Sequence, residues 1–290
     1  DGGVLLGWDG AEWTVATTGG PGFLALDGTA DAAIVVASGQ AGYFISNASG
    51  AWKGEQVPGT THLRGVWLES PNRPWVFGDG GVLFRFDEAT KTWTKLASNT
   101  TRAFLTADGL DADSVLVAGE NGIIMRWDGD ARSLISNGSS ENRLALAGSG
   151  SKDVWAVGDE VLHDQGSGWQ VVDPKTPRAL YDVAAVGADD AWAVGTGGTV
   201  LHWKGKVTGF EPVEVKSLAW LRGIAVNGTG GWIVGEKGTL FAMINGTSWI
   251  ATPSNTSADL NDVWITSGSD AWAVGANGTL MHWDGAAWGP

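Results

Sequence analysis

Apolar and polar residues alternate along this chain in short runs, and each run stops at glycine, asparagine or aspartate. Residues 260–266 (LNDVWIT) and Leu63–Leu68 (LRGVWL) show the pattern. Alternation with period two puts side chains on two faces of a strand, and β-branched and aromatic residues suit that pleated surface. No window of a dozen residues carries helical spacing, and 45 glycines argue against long helices. The runs come in sets of four. An apolar first strand leads to a second built on Trp-x-Val-Gly, at Trp155, Trp192, Trp232 and Trp272, with Trp75, Leu116 and Val36 in divergent copies. A Gly-x-x-Gly hairpin follows, then a third strand (123–127, 199–203, 279–283). A turn such as Trp283-Asp284-Gly285 leads to the fourth.

The first hairpin glycines, Gly39, Gly78, Gly119, Gly158, Gly195, Gly235 and Gly275, lie 39, 41, 39, 37, 40 and 40 residues apart. Four strands per period of this length predict an all-β fold, a β-propeller of four-stranded antiparallel blades. Seven blades are expected, with eight as the alternative, in a single domain over residues 1–290. One unit cannot bury its own Trp and Val, so neighbours must stack face to face. Trp13, Trp52, Trp93, Trp169, Trp249 and Trp288 share one column after the third strand, with Phe210 and Arg132 in the same place, and are expected between blades. The hairpin glycines are expected to supply positive φ. Residues 3–13 (GVLLGWDGAEW) match 278–288 (GTLMHWDGAAW). Trp13–Thr18 is therefore expected to pair into the last blade and close the ring. That leaves a surplus third strand, which could join subunits or mean that the array is longer.

Composition narrows the function. A net charge of −14 would repel phosphate over most of the surface, which disfavours nucleic acid. No apolar run is long enough to span a membrane, and no secretory signal stands at residue 1. Few lysines, Ser/Thr/Asn/Gly-rich turns and a Trp-rich core suggest an exported protein, extracellular, at the cell surface or periplasmic. Seven Asn-x-Ser/Thr sequons, at Asn47, Asn99, Asn137, Asn227, Asn245, Asn255 and Asn277, offer glycosylation sites in turns. Asn-Gly-Thr is equally good turn chemistry.

Reading across blades locates a candidate rim. Just before the first strand stand His62, Arg102, Arg143, Arg178 and Asp259; one residue into it stand Arg64, Tyr181, Arg222 and Asn261. Five of the nine arginines fall in these two columns. Two readings follow. The arginines either cap solvent-facing positions and pair with acidic hairpins, or ring a channel mouth that takes carboxylate or phosphate oxygens. A third-strand column of Arg85, Arg126, His163, His202 and His282 is expected to be structural, because equal phase in successive blades spreads the rings too far apart for one metal ion. Catalysis has little support: there is no cysteine and no Gly-x-Ser-x-Gly elbow. No cofactor is expected.

The Trp-x-Val-Gly…Gly-Thr-Leu-x-His-Trp-Asp-Gly-x-x-Trp unit resembles the tryptophan-rich repeats of secreted bacterial β-propellers. These are grouped with BNR/Asp-box-like repeats and with the photosystem II stability/assembly factor propellers. The resemblance covers essentially the whole chain and is specific for architecture. The sialidase Asp box, Ser-x-Asp-x-Gly-x-Thr-Trp, is not matched, because Asp284 lies four residues before Trp288 and the serine is missing. The assembly-factor propellers carry an Arg-bearing face that docks partners, which the resemblance places at Arg102, Arg143, Arg178 and Arg222 by position in the blade. The expected function is a non-catalytic scaffold for a protein partner. A carbohydrate-binding lectin is the alternative, its repeated Trp suited to stacking on sugar rings. A sialidase-like glycoside hydrolase using Tyr181 and a rim arginine is the third reading.

Overall fold

A computed structural model describes residues 3–8, 13–28, 34–111, 114–128, 131–135, 142–150, 152–228 and 230–289. The side chains at 8, 13, 110–111, 114, 128, 131–135 and 143–144 are not among those described. The chain forms two compact units, Asp1–Ser136 and Asn137–Pro290.

In the first unit β1 (Val4–Trp8) and β2 (Trp13–Thr18) make a two-stranded sheet. Three four-stranded sheets follow, numbered one to three. They are β3 (Phe23–Gly28), β4 (Val35–Gly39), β5 (Tyr43–Ser46) and β6 (Lys53–Gln56); β7 (Leu63–Leu68), β8 (Pro74–Gly78), β9 (Val82–Asp87) and β10 (Thr92–Lys95); and β11 (Phe104–Asp111), β12 (Ser114–Gly119), β13 (Ile124–Asp128) and β14 (Ala131–Ile135). The second unit holds sheets four to seven. These are β15 (Arg143–Gly150), β16 (Asp153–Gly158), β17 (Val161–Asp164) and β18 (Trp169–Val172); β19 (Leu180–Gly187), β20 (Asp190–Gly195), β21 (Val200–Trp203) and β22 (Phe210–Pro212); β23 (Leu221–Asn227), β24 (Gly230–Gly235), β25 (Leu240–Ile244) and β26 (Ser248–Ala251); and β27 (Leu260–Ser267), β28 (Asp270–Gly275), β29 (Leu280–Trp283) and β30 (Trp288–Gly289). Strands pair antiparallel in chain order within every sheet. One helical turn, Gly205–Thr208, fills an insertion between β21 and β22.

The two hairpin glycines do different jobs. The second sits at positive φ, as at Gly198 (72°) and Gly278 (72°), where only glycine is free of strain. The first is extended, with φ of −170° at Gly195, and is glycine because of crowding instead. A Cβ there would stand 2.1 Å from the Ala179 carbonyl oxygen, which accepts the Thr196 amide at 3.0 Å. The expectation that both glycines serve positive φ is thus half right; one is a close-approach residue.

Each core lies between two successive sheets of one unit. In the second unit Trp155, Val157 and Val161 of sheet four pack on Leu180, Val183, Leu201, Trp203 and Phe210 of sheet five. Trp192 and Val194 meet Leu221, Ile224, Phe241 and Trp249 of sheet six, and Trp232 and Val234 meet Leu260, Val263, Met281 and Trp288 of sheet seven. The first unit repeats this, with Val36 and Phe44 against Leu63 and Val66, then Trp75 and Phe77 against Phe104, Val117 and Trp127. The rule is constant: the second-strand Trp and Val of one sheet cover the first strand of the next. The fourth-strand aromatic closes the contact edge-on, as Trp249 does on Trp192 (5.5 Å, 83°) and Trp288 on Trp232 (4.9 Å, 83°). Such pairs add about 0.5–1.5 kcal/mol beyond area burial. Of the predicted column, Phe210, Trp249 and Trp288 are buried, Trp52, Trp93 and Trp169 are half-buried, and the side chains of Trp13 and Arg132 lie outside the described residues.

The expected closure by the N-terminal strand is corrected by the pairing. Trp13–Thr18 pairs with Val4–Trp8, while β29 takes its fourth strand from β30 through Trp283↔Trp288 and His282↔Gly289. Strands separated by so short a turn close at little entropic cost, so the local hairpin wins. Trp192→Ala is expected to destabilise by about 3–5 kcal/mol in denaturant titration, because it removes a fully buried indole from the contact between sheets five and six.

Candidate functional site

The end of each sheet where the first strand begins is also the end that carries the second-to-third-strand hairpin, because Leu180 pairs with Gly195 and Leu221 with Gly235. Rim side chains therefore stand over hairpin carbonyls and carboxylates. In the first unit Arg64 Nε donates to Asp79 Oδ1, Arg102 donates to the Asn121 carbonyl (3.0 Å), and His62 Nδ1 accepts from the Ala41 amide (3.4 Å). In the second unit Arg178 donates to the Gly197 carbonyl. Arg222 reaches Glu236 (3.3 Å), Asp259 (3.2 Å) and Asn261 (3.3 Å). Tyr181 lies against Trp220 with ring centroids 5.9 Å apart, its hydroxyl pKa raised by burial. The acidic-hairpin pairing read from the sequence is present at Arg64 and Arg222.

The first rim column is not one structural position. His62 and Asp259 directly precede the leading residues Leu63 and Leu260, whereas Arg102 and Arg178 stand two residues before Phe104 and Leu180. Arg143 is itself a leading residue, paired with Gly158 as Leu180 is with Gly195; its side chain lies outside the described residues. Loop lengths before the first strand differ, so counting from the repeat shifted the register.

Sequence reading missed the loops between successive sheets, although Ser98-Asn99-Thr100 recurs as Ser254-Asn255-Thr256. In the first unit one of them shapes a recess of about 890 Å³, lined by Lys95, Ser98, Asn99, Thr100, Thr101 and Arg102 together with hairpin glycines Gly80, Gly81 and Gly122. Ser98 Oγ donates to the Gly81 carbonyl (2.6 Å), pinning the loop to the hairpin. The recess lining includes two cations and no carboxylate, in a chain with 32 acidic residues. A smaller recess of about 200 Å³, in the same unit, has Phe44, Phe86, Pro71 and Pro74 with Lys53, Glu55 and Asn72. In the second unit the loop before β23 exposes Leu218 and Trp220.

The third-strand histidines are structural, as expected. Each ring stacks on the second-strand indole opposite it: His163 on Trp155 (3.6 Å), His202 on Trp192 (3.7 Å), His282 on Trp272 (3.9 Å). Each Nε2 meets the Asp that opens its second strand, at 2.6, 2.8 and 2.7 Å for Asp153, Asp190 and Asp270. An ionised carboxylate can only accept, so Nε2 carries the hydrogen. Arg85 takes the same place over Trp75 (5.5 Å). Of the sequon asparagines, Asn99, Asn245, Asn255 and Asn277 hold left-handed turn positions (φ 53–60°), Asn47 Oδ1 accepts the Val35 amide (2.7 Å), Asn227 is exposed, and Asn137 lies outside the described residues.

One titratable group stands apart. Asp182, on β19, accepts the Ile224 and Val183 amides (both 2.8 Å), and burial, with Asp262 adding repulsion, lifts its pKa to about 7. Asp262 is raised by the same desolvation.

No protein-family model and no curated protein matches the chain. Solved structures do. YCF48 from Cyanidioschyzon merolae is 16% identical, with a TM-score of 0.69 over 90% of this chain and 95% of that one. YCF48 bound to D1 peptide is 14% identical, TM-score 0.70, over 90% and 91%. BamB from Moraxella catarrhalis is 17% identical, TM-score 0.76, over 97% and 88%. The chain has a β-propeller fold. At these identities the likeness concerns fold alone, and the resemblance to the assembly-factor propellers holds at that level.

The Asp182 shift sets a pH dependence. Its folded pKa lies above the unfolded value of 3.8, so the stability it lends is full below that value and is lost as pH rises through about 7. Asp182→Ala is therefore expected to lower Tm more at about pH 4.5 than at about pH 8.5, read by thermal melts at both.

Proposed function

We propose that this propeller is a non-catalytic binding scaffold that works outside the cytoplasm and docks an acidic segment of a protein partner on its hairpin-bearing rim. The observation that carries the reading is the recess around Arg102. Lys95 and Arg102 supply charge, Thr100, Thr101 and Asn99 supply hydroxyl and amide groups, and no carboxylate lines it. Side-chain carboxylates of an extended peptide suit such a surface, and charge-assisted hydrogen bonds to them are the strong ones. A YCF48 propeller is bound to D1 peptide, which supports peptide docking on this fold. Arg64 and Arg222 are paired with carboxylates, whereas Arg102, like Arg178, meets only a hairpin carbonyl and keeps its charge uncompensated by an acid in the recess. The hydroxyl-rich turns, the sequons and the low lysine content support export.

A second reading, sugar binding, is favoured by the smaller recess, where half-buried Phe86 lies beside Lys53, Glu55 and Asn72. A glycan array separates the two: saturable sugar binding lost in Phe86→Ala would replace the peptide reading.

For the leading proposal, Lys95→Glu combined with Arg102→Glu is expected to weaken binding of a Glu/Asp-rich peptide library by roughly tenfold or more with Tm unchanged. Binding should also fall with added salt. Undiminished binding in the double variant would locate the site elsewhere.

A further inference from the structure

His163, His202 and His282 share one place on the third strand, but what stands beside each on the fourth strand differs. His202 pairs with Glu211, whose carboxylate is tied to Lys204 (2.7 Å), and His282 pairs with Gly289, which has no side chain. His163 pairs with Gln170, an exposed and neutral amide. There the space between sheets four and five opens into a recess of about 240 Å³. Sheet four lines it with His163, Gln165, Ser167 and Gln170, and Trp203 and Lys206 line it from sheet five and its helical insertion.

His163 is the unusual member of this lining. It is 4% exposed, and the fold uses only its ring face, stacked on Trp155, and its Nε2, which donates to Asp153 (2.6 Å). With the hydrogen on Nε2, Nδ1 is an acceptor, and it has no hydrogen-bond partner among the described residues. Burial lowers the imidazole pKa against the opposing pull of Asp153, and the nearby Lys206 charge adds to the lowering. The ring is therefore neutral at neutral pH and Nδ1 keeps its lone pair. A buried acceptor left without a donor is costly, and a ligand hydroxyl satisfies it.

The rest of the wall suits a hydroxylated acid. Gln165, Ser167 and Gln170 can both donate and accept, and Lys206 supplies one positive charge with no carboxylate in the lining. Val172 and Trp203 close the apolar side. The turn that carries Gln165 and Ser167 is fixed in advance. Asp164 Oδ1 accepts the Gly166 and Gly168 amides (2.8 and 3.0 Å), and both glycines hold positive φ (80° and 98°). Gln165 Nε2 and Trp203 Nε1 both reach the Ala188 carbonyl (3.5 and 3.4 Å), which ties the turn to sheet five. The volume falls below the roughly 300–1,000 Å³ of sites for drug-sized ligands, which limits the occupant to a single small ring.

We propose that the recess between sheets four and five binds one residue of a sugar acid, a hexuronate. A ring hydroxyl donates to His163 Nδ1, the carboxylate lies on Lys206 and Ser167, and the remaining hydroxyls bond Gln165 and Gln170. The site lies in the second unit and rests neither on the peptide reading around Arg102 nor on sugar binding beside Phe86.

The test titrates glucuronate and galacturonate into the full chain, with glucose and galactose as neutral counterparts. Saturable binding of at least one of the two uronates, one per chain, is expected in calorimetry, about tenfold tighter than its neutral counterpart. Lys206→Ala and Gln170→Ala should each weaken it by about tenfold with Tm unchanged, because both side chains are exposed. The nitrogen NMR shift of His163 Nδ1 should move on binding while those of His202 and His282 stay, a readout that altered packing elsewhere does not imitate. Absent uronate binding, equal binding of the neutral sugars, or an unmoved His163 signal would overturn the proposal. Uronate binding lost in Phe86→Ala but kept in Gln170→Ala would overturn it as well, by placing the sugar in the first unit.

Discussion

The contact that everything else depends on is a strand of one sheet carrying Trp and Val laid across the first strand of the next. Neither sheet can hide its own apolar face. Trp192 and Val194 are fully buried only because Leu221, Ile224 and Trp249 of the following sheet close over them. The same contact recurs within each unit, so stability is spread over nearly identical interfaces, as nearest-neighbour coupling in repeat arrays requires.

On the other side of the same indoles a polar device keeps the second and third strands in register. His163, His202 and His282 each lie flat on a Trp and hold an Asp at the strand start. Ser149 and Thr266 donate to the second oxygens of Asp153 and Asp270, while Val186 occupies that position in sheet five. These residues are spent on architecture. The hairpins and the loops between sheets are free of that demand, and Arg102, Lys95 and Trp220 there vary from blade to blade on a constant frame.

The charge is unevenly placed. A chain of −14 net charge disfavours anionic partners over most of its surface, so a recess with two cations and no acid is a local exception. Arg64 and Arg222 show the opposite treatment, with hairpin and neighbouring acids holding their guanidinium groups. Arg102 bonds a hairpin carbonyl instead of an acid and lines that recess.

Much of this was readable residue by residue. Alternation and the Trp-x-Val-Gly spacing determined the four-stranded sheets, the strand bounds to within a residue or two, and the burial of the second-strand Trp, because pleat periodicity and packing on a neighbour are local demands repeated every 40 residues or so. The residue pairs at the rim were visible as columns, but their register was not. His62, Arg102 and Arg143 occupy three different positions relative to the leading residue, since loop length is free to vary where no neighbour packs on it. Only the tertiary structure decided that Trp13–Thr18 joins Val4–Trp8, that the first hairpin glycine answers to a carbonyl from another strand, and that Lys95 and Arg102 share a recess. Each depends on which backbone comes near which, a question of strand pairing and loop closure that side-chain pattern alone leaves open.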